Sequence, residues 1–428
     1  MIKTVKPAPG LNGTIQLPPD KSISHRSALF AAISDGTSVI ENYSPAADPA
    51  STLHCLRQLS VQIKRDTNIV TIKGAGRWGL VNPSEPLDCG NSGTTMRLLT
   101  GILAGAGVDA ELVGDESLSG RTMKRIIEPL RMMGASIAAR EDEFAPLRIS
   151  SHNGIKPIRY PLPIASAQLK SCVLLAGLWG ETPTEVVERA PSRDHTERLL
   201  NLVSEPYCQG KIIQSSRNNT IPNQTYTIPG DFSAAAFWMV GAAIHTSSRL
   251  KLENVGMNTS RIGILHVLQK MGVDIKISHE RMQGREPVAN LEITSSNLKA
   301  IDLDPSLIPN CIDELPILMI AFCFADGRST LTGAEELRHK ETDRLSAMFE
   351  ILTMAGVNAT LLPDGIEIDG NPDFKPLPAE QNTYHDHRMA MAAAILATLS
   401  PENSTILDAE CTSISYPGFW ADLEKVSG

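Results

Sequence analysis

Polar and apolar positions alternate along this chain in two interleaved series with nearly the same period. The first is a short pattern: Leu, two variable residues, an apolar residue, then Gly or Ser. It occurs at Leu56–Ser60, Leu130–Gly134, Leu200–Ser204, Leu268–Gly272, Leu352–Gly356 and Leu423–Ser427. Gly or Ser after an apolar helical turn is a helix stop. In four places an alternating segment follows, such as Val273–Ile277 or Ala135–Ala138, and alternation predicts a strand. The second series consists of six helices rich in small apolar residues, each opening at a polar residue. They start near Asp20, Asn91, Ser166, Asp231, Asp313 and Asp386. Such helices are apolar nearly all round and belong in a core. The Leu-pattern helices, for example residues 342–352, are amphipathic and should face solvent. Each repeat therefore reads as strand, buried helix, strand, outer helix, strands. Repeats of supersecondary size define a fold before any single element does. Six such units account for 428 residues, and three could build one domain around three buried helices.

Charge changes the picture at the helix starts. A helix N-terminus carries partial positive charge, so Lys and Arg are locally unfavourable there. Yet Lys21, Arg26, Arg97, Lys170 and Arg388 follow the starts of the buried helices. Arg121, Lys124 and Arg125, then Arg193, then Arg338, Lys340 and Arg344 open three of the outer ones. If several such starts converge on one cleft, their N–H groups, dipoles and cations make a strong anion site. The chain as a whole carries a formal charge of -9, which argues against a nucleic-acid partner and leaves anion binding to local cations.

Composition excludes other classes. Apolar residues make up 42% and charged residues 20%, the balance of a globular protein. Met1–Gly13 has no apolar core of a secretory signal, and the Ala234–Ile244 run is too short to span a bilayer, so no membrane role is expected. Seven scattered cysteines without a CxxC pair fit reduced thiols in a cytoplasm. Gly74–Gly79 matches GxGxxG, but Val81-Asn82-Pro83 follows instead of a helix, so it is read as a turn and not as a dinucleotide site. His385-Asp386-His387 has no matching Cys or His cluster, and no metal is expected.

The hexapeptide Lys21-Ser22-Ile23-Ser24-His25-Arg26 resembles the EPSP synthases, a branch of the enolpyruvyl transferases. Gly90-Asn91-Ser92-Gly93-Thr94-Thr95-Met96-Arg97 resembles their GNxGTxxR loop. Ser119–Arg125, Ser166-Ala167-Gln168, Asp313–Pro316, Leu337–Arg344 and Asp386–Ala390 also fit the family pattern, in order and over the full length. Ser192–Glu197 is similar to the second class of the family.

The resemblance implies an α/β fold of two similar domains, each of three βαβαββ units around buried helices. Residues 1–20 with 229–428 would form one domain and 21–228 the other, with the active-site cleft between them. It also implies transfer of the enolpyruvyl group of phosphoenolpyruvate to the 5-hydroxyl of 3-phosphoshikimate, through a tetrahedral adduct and without a cofactor, in a monomer. Lys21, Ser22, Arg26, Ser166, Ala167, Gln168 and Arg193 would bind 3-phosphoshikimate, with Asp313 and Lys340 near it. Arg121, Arg344 and Arg388 would hold phosphoenolpyruvate, with Lys21, Gln168 and the backbone of Asn91, Gly93 and Thr94. Guanidinium forks suit carboxylate and phosphate, and Gly93 would let backbone approach the ligand.

Proton transfer needs carboxylates. Asp313 is the expected base on the shikimate hydroxyl, besides a plain role as N-cap of its helix. Glu341 with Lys21 is expected to handle the methylene proton. Two positions depart from the family pattern: Pro19 stands where a glycine is usual, and Ile414 fills the place of a cleft lysine. The nearest alternative is a UDP-N-acetylglucosamine enolpyruvyl transferase. That family usually carries a reactive cysteine in the loop spanning Gly114–Arg125, and this loop has none.

Overall fold

Small apolar side chains let helices pack on all sides, and six helices here do so. The computed structural model describes residues 1–152 and 154–428. In Phe232–Ile244, Leu315–Cys323 and His387–Ala397 every residue is buried. Lys21–Ile33, Gly93–Ala106 and Ala167–Gly177 are buried except at a few positions, mostly in their first turns. Five of the six open on a side-chain cap. Asp20 accepts from the Ile23 N–H, Ser92 from Thr95, Ser166 from Leu169, Asp231 from Ser233 and Asp386 from Arg388. Two starts differ from the sequence reading. Ser92, not Asn91, caps the second helix, which leaves the Asn91 amide for other partners. The Leu315–Cys323 helix follows Glu314 and has no side-chain cap, so Asp313 is not the N-cap expected of it.

Among the described residues the Leu pattern lies at or near the ends of Ala47–Gln58, Lys124–Met132, His195–Leu200, Gly263–Lys270, Arg344–Met354 and Phe419–Ser427; His195–Leu200 is buried at every residue but Arg198 and is not the solvent-facing helix expected. Four stop at a left-handed residue of the Leu pattern: Ser60 (φ 66), Gly134 (φ 91), Gly272 (φ 95) and Gly356 (φ 84). The third stops earlier. Asn201 (φ 53) takes the left-handed turn, and Ser204 begins the strand Ser204–Tyr207. Asn tolerates this conformation better than other residues with a Cβ.

Each complete repeat contributes to a four-stranded sheet in the order first, second, fourth, third. Leu87–Asp88 runs parallel to Ala110–Val113, which pairs antiparallel with Phe144–Ser150, itself paired with Ser136–Arg140. The strands from Arg159 to Ser215 and from Leu298 to Gly370 repeat that order. Repeats one and four exchange their first strands. Asn12–Gln16, which precedes the first buried helix, lies parallel to Arg249–Gly256; Thr225–Thr227, which precedes the fourth, lies parallel to Asp35–Glu41. In the sixth repeat Glu380–Gln381 and Ser404–Ile406 are parallel, and Lys3–Val5 supplies the antiparallel strand.

The chain divides into two compact units, Met1–Pro18 with Pro229–Gly428, and Pro19–Ile228. Each holds three of the buried helices and its own apolar core. The GxGxxG segment ends the strand Ile69–Ala75 and turns at Gly76 (φ 74). Gly74 is there for packing: a Cβ would lie 2.1 Å from the Ser34 carbonyl oxygen.

Candidate active site

In the unit formed by residues 19–228, three buried helices are tied together at their starts. His25 Nδ1 lies 2.6 Å from Thr52 Oγ1, and Thr52 Oγ1 lies 2.7 Å from Thr95 Oγ1, which joins Lys21–Ile33 to Gly93–Ala106. Arg97 Nη1 donates to Gln168 Oε1 (2.6 Å) and Gln168 Nε2 donates to Thr94 Oγ1 (2.9 Å), which joins Gly93–Ala106 to Ala167–Gly177. Arg26 Nη2 donates to Ser171 Oγ (3.1 Å) and closes the triangle; its Nε donates to Thr196 Oγ1 (2.8 Å). All these links fall in the first two turns, so the three positive helix ends share one end of the unit.

Cations crowd that end. Lys21, the first residue of its helix, places Nζ 2.9 Å from Asp48 Oδ2. Arg121 Nη2 donates to Asn91 Oδ1 (2.8 Å) and Ser117 Oγ (3.0 Å), and Asn91 Nδ2 donates to Asp115 (2.8 Å). Gly93 sits under both guanidiniums: a Cβ would lie 3.0 Å from Arg97 Nη1 and 3.6 Å from Arg121 Nη1. Ser22 gives its carbonyl to Arg26 Nη1 (3.1 Å). Ser166 caps the third helix, Ala167 is its first residue, and Arg193 stands half-buried in the loop before His195–Leu200.

The other unit repeats the plan with more carboxylates. Arg344 opens the Arg344–Met354 helix and is 1% exposed. Its Nε donates to Asp386 Oδ2 (2.7 Å), its Nη2 donates to Glu341 Oε2 (2.6 Å), and its Nη1 lies 3.6 Å from Asp313 Oδ1. Burial works against this charge, but Asp386, Glu341 and Asp313 outweigh it and hold the pKa above the ordinary arginine value. Arg388 Nη1 donates to the Asp313 carbonyl (2.7 Å), and its Nη2 lies 3.6 Å from the Asp313 carboxylate. Beside them, the Ser233 hydroxyl donates to Glu314, and Arg261 Nη2 donates to Ser233 Oγ (2.6 Å). The starts of Phe232–Ile244, Leu315–Cys323 and His387–Ala397 are thereby linked. Lys340 lies near this group, 3.7 Å from Glu336. Desolvation lowers its pKa, against the pull of Asp313 and Glu336.

The family model for EPSP synthase (3-phosphoshikimate 1-carboxyvinyltransferase) matches residues 5–423. The 3-phosphoshikimate 1-carboxyvinyltransferase of Salinibacter ruber is 47% identical, with all of both chains aligned. That of Legionella pneumophila (strain Corby) is 44% identical over 97% of this chain and 95% of its own. The chain belongs to the EPSP synthase family. A solved EPSP synthase from Acinetobacter baumannii superposes with a TM-score of 0.87 at 39% identity, covering 99% of this chain and 98% of that one. The enolpyruvyl transferase NikO of Streptomyces tendae, 14% identical, shares the fold with a TM-score of 0.77 over 99% of this chain and 97% of its own.

As a member of the EPSP synthase family the chain is an enzyme, and the cations read from its sequence separate into two kinds. Lys21, Arg26, Arg97 and Arg121 gather at one set of helix starts, and Arg344 and Arg388 at the other. Three others serve different ends. Lys170 is fully buried and pairs with Glu188 and Glu197, both at 2.7 Å. Arg338 binds Asp343 (2.7 Å) and the carbonyls of Leu362 and Pro363. Lys124 is exposed, 3.9 Å from Glu128.

Sequence reasoning gave no role to Asp48, to the Ser171 and Thr196 hydroxyls, or to Asp386 as the partner of Arg344. For Asp386 a signal was present: the run His385-Asp386-His387 was weighed as metal ligands. Its two oxygens are instead occupied by Arg344 and the Arg388 N–H. For Asp48 nothing in the sequence marked it, because it lies 27 positions from Lys21 on another helix.

Proposed function

We propose that the enzyme transfers the enolpyruvyl group of phosphoenolpyruvate to the 5-hydroxyl of 3-phosphoshikimate, releasing phosphate. The observation that carries this reading is the doubled arrangement of helix starts: two sets of three, each gathering lysine and arginine side chains, the second with three carboxylates around Arg344. Two substrates that bring two phosphates and two carboxylates need such a concentration of fixed donors. In this reading both sets act on one pair of substrates, so the units close around them. Arg26, Arg193, Ser22, Ser166, Ala167 and Gln168 hold 3-phosphoshikimate. Arg121, Arg344, Arg388 and the backbone from Asn91 to Thr94 hold phosphoenolpyruvate, and Lys21 lies between the two.

The chemistry then falls to three side chains. Asp313 takes the proton of the 5-hydroxyl as that oxygen bonds to the substituted carbon of the double bond. Glu341, with Lys21, delivers a proton to the methylene carbon. In the collapse of the tetrahedral adduct the C–O bond to phosphate breaks and phosphate leaves with the proton held by Asp313, while a proton of the new methyl group returns to Glu341 and restores the double bond. The cations hold the anionic groups through both steps without changing partners. Free cysteines at all seven positions accord with a cytoplasmic setting.

The test is phosphate release from phosphoenolpyruvate with 3-phosphoshikimate, with UDP-N-acetylglucosamine, and with neither. Release only with 3-phosphoshikimate is expected. Release only with the nucleotide sugar would overturn the assignment.

A further inference from the structure

Beside the Arg26 contacts lies a buried ion cluster. The Lys170, Glu188 and Glu197 side chains are 0%, 1% and 6% exposed. Lys170 Nζ lies 2.7 Å from a carboxylate oxygen of each and also donates to the Ser192 carbonyl (3.3 Å). Glu188 accepts from the Ser192 N–H (3.1 Å) and from the Ser192 hydroxyl. Lys211 closes the outer side, 3.1 Å from Glu188 and 3.7 Å from Glu197. Two cations thus balance two carboxylates. Removing such charges from water costs several kcal/mol per ion, and an apolar cluster of the same volume commonly stabilises as well or better. Stability therefore does not account for this cluster, and its neutrality gives it no long-range field.

Position does account for it. Two of the ions stand next in sequence to a group of the site, and a third holds a residue that does. Ser171, which receives Arg26 Nη2, follows Lys170. Thr196, which receives Arg26 Nε, precedes Glu197. Ser192, held by Glu188 and Lys170, precedes Arg193. Lys170 also lies one turn after Ser166, the cap of the Ala167–Gly177 helix, and two residues after Gln168. One buried ammonium thus fixes three segments against one another: that helix, the loop through Ser192 and Arg193, and the His195–Leu200 helix.

We propose that Lys170, Glu188, Glu197 and Ser192 are positioning residues that set the spacing of Arg26, Arg193 and the Ser166 helix start around the phosphate of 3-phosphoshikimate. This rests on the function proposed above.

Calorimetric titration of the full chain with 3-phosphoshikimate tests it, together with steady-state kinetics and melting temperature. Ser192→Ala removes one anchor of the loop and leaves every charge in place. It should weaken 3-phosphoshikimate binding about tenfold, the loss of one hydrogen bond to a charged group. The KM for 3-phosphoshikimate should rise with it, while kcat and the KM for phosphoenolpyruvate stay within about twofold of the unaltered chain. The double variant Lys170→Met with Glu188→Leu keeps the charge balance, with Lys211 and Glu197 left as a pair. It should lose more than tenfold in binding while melting no lower than the parent. A folded Ser192→Ala variant that binds as tightly as the parent overturns the proposal, even if the double variant fails to fold. A parent chain that shows no binding overturns the functional reading, and this inference with it.

Discussion

Arg344 has three carboxylates for one guanidinium, and the excess of acid over base around it bears directly on Asp313. Neither contact of the Asp313 carboxylate, to Arg344 or to Arg388, is shorter than 3.6 Å. Both of these contacts lie beyond hydrogen-bond distance, and the carboxylate is partly exposed. Asp313→Ala should lower turnover by about 100-fold or more with little change in melting temperature; near-normal turnover in a folded variant would reject it as the base. Lys340 gives a second expectation. Desolvation holds its pKa below the ordinary lysine value, so its charge is lost at a lower pH than usual as the solution becomes alkaline. If that charge holds an anionic substrate, affinity should fall on the alkaline side before pH reaches the ordinary lysine range of about 10.4. Lys340→Arg should move the fall to higher pH. A pH profile of kcat/KM with the same alkaline limb in both proteins would exclude Lys340 as its source.

Among elements, the buried helices do two jobs with one property. Small side chains let them pack on all sides, and that packing brings their starts within hydrogen-bond reach of one another. His25 shows the cost of such a junction. It is fully buried, bonded through Nδ1 to Thr52, and flanked by Lys21 and Arg26. Burial first, then those two cations, hold its pKa well below 6.5. The unfolded chain takes up a proton at about pH 6.5 and the folded chain does not until the pH is lower. Stability from this group is therefore complete above pH 6.5 and is lost as pH falls below it. Urea unfolding at pH 7.5 and 5.5 should show a larger drop for the parent chain than for His25→Gln. Equal drops would mean that His25 does not resist protonation.

At the scale of the molecule, the exchange of first strands between repeats one and four makes the chain pass from one unit to the other twice, after Pro18 and after Ile228. The last residue before each crossing is held within its own unit: the Asp231 N–H donates to the Pro18 carbonyl (2.8 Å) and the Asn42 side chain to the Ile228 carbonyl (2.8 Å). If both units act on one pair of substrates, as proposed above, they close around them on these two connections. Saturating 3-phosphoshikimate should therefore reduce the radius of gyration measured by small-angle scattering. An unchanged radius with ligand demonstrably bound would count against closure.

The sequence by itself determined the repeat, the order of its elements and the chemistry at its helix starts. Those are local properties: periodicity sets which face is apolar, cap residues set where a helix begins, and charge at a start is visible without neighbours. The misplacements were also local, one residue at Asn91 and Asp313, and an early stop at Asn201 where a left-handed Asn took the role read for Ser204. Tertiary structure alone decided which cations gather and which are absorbed. Lys170 and Lys21 look alike in sequence, since each lies in the first turns of an apolar helix. One is enclosed between two glutamates and the other meets Asp48 at a helix start. That difference depends on carboxylates 18 and 27 positions along in the chain, and sequence spacing does not fix which distant groups packing will bring within reach.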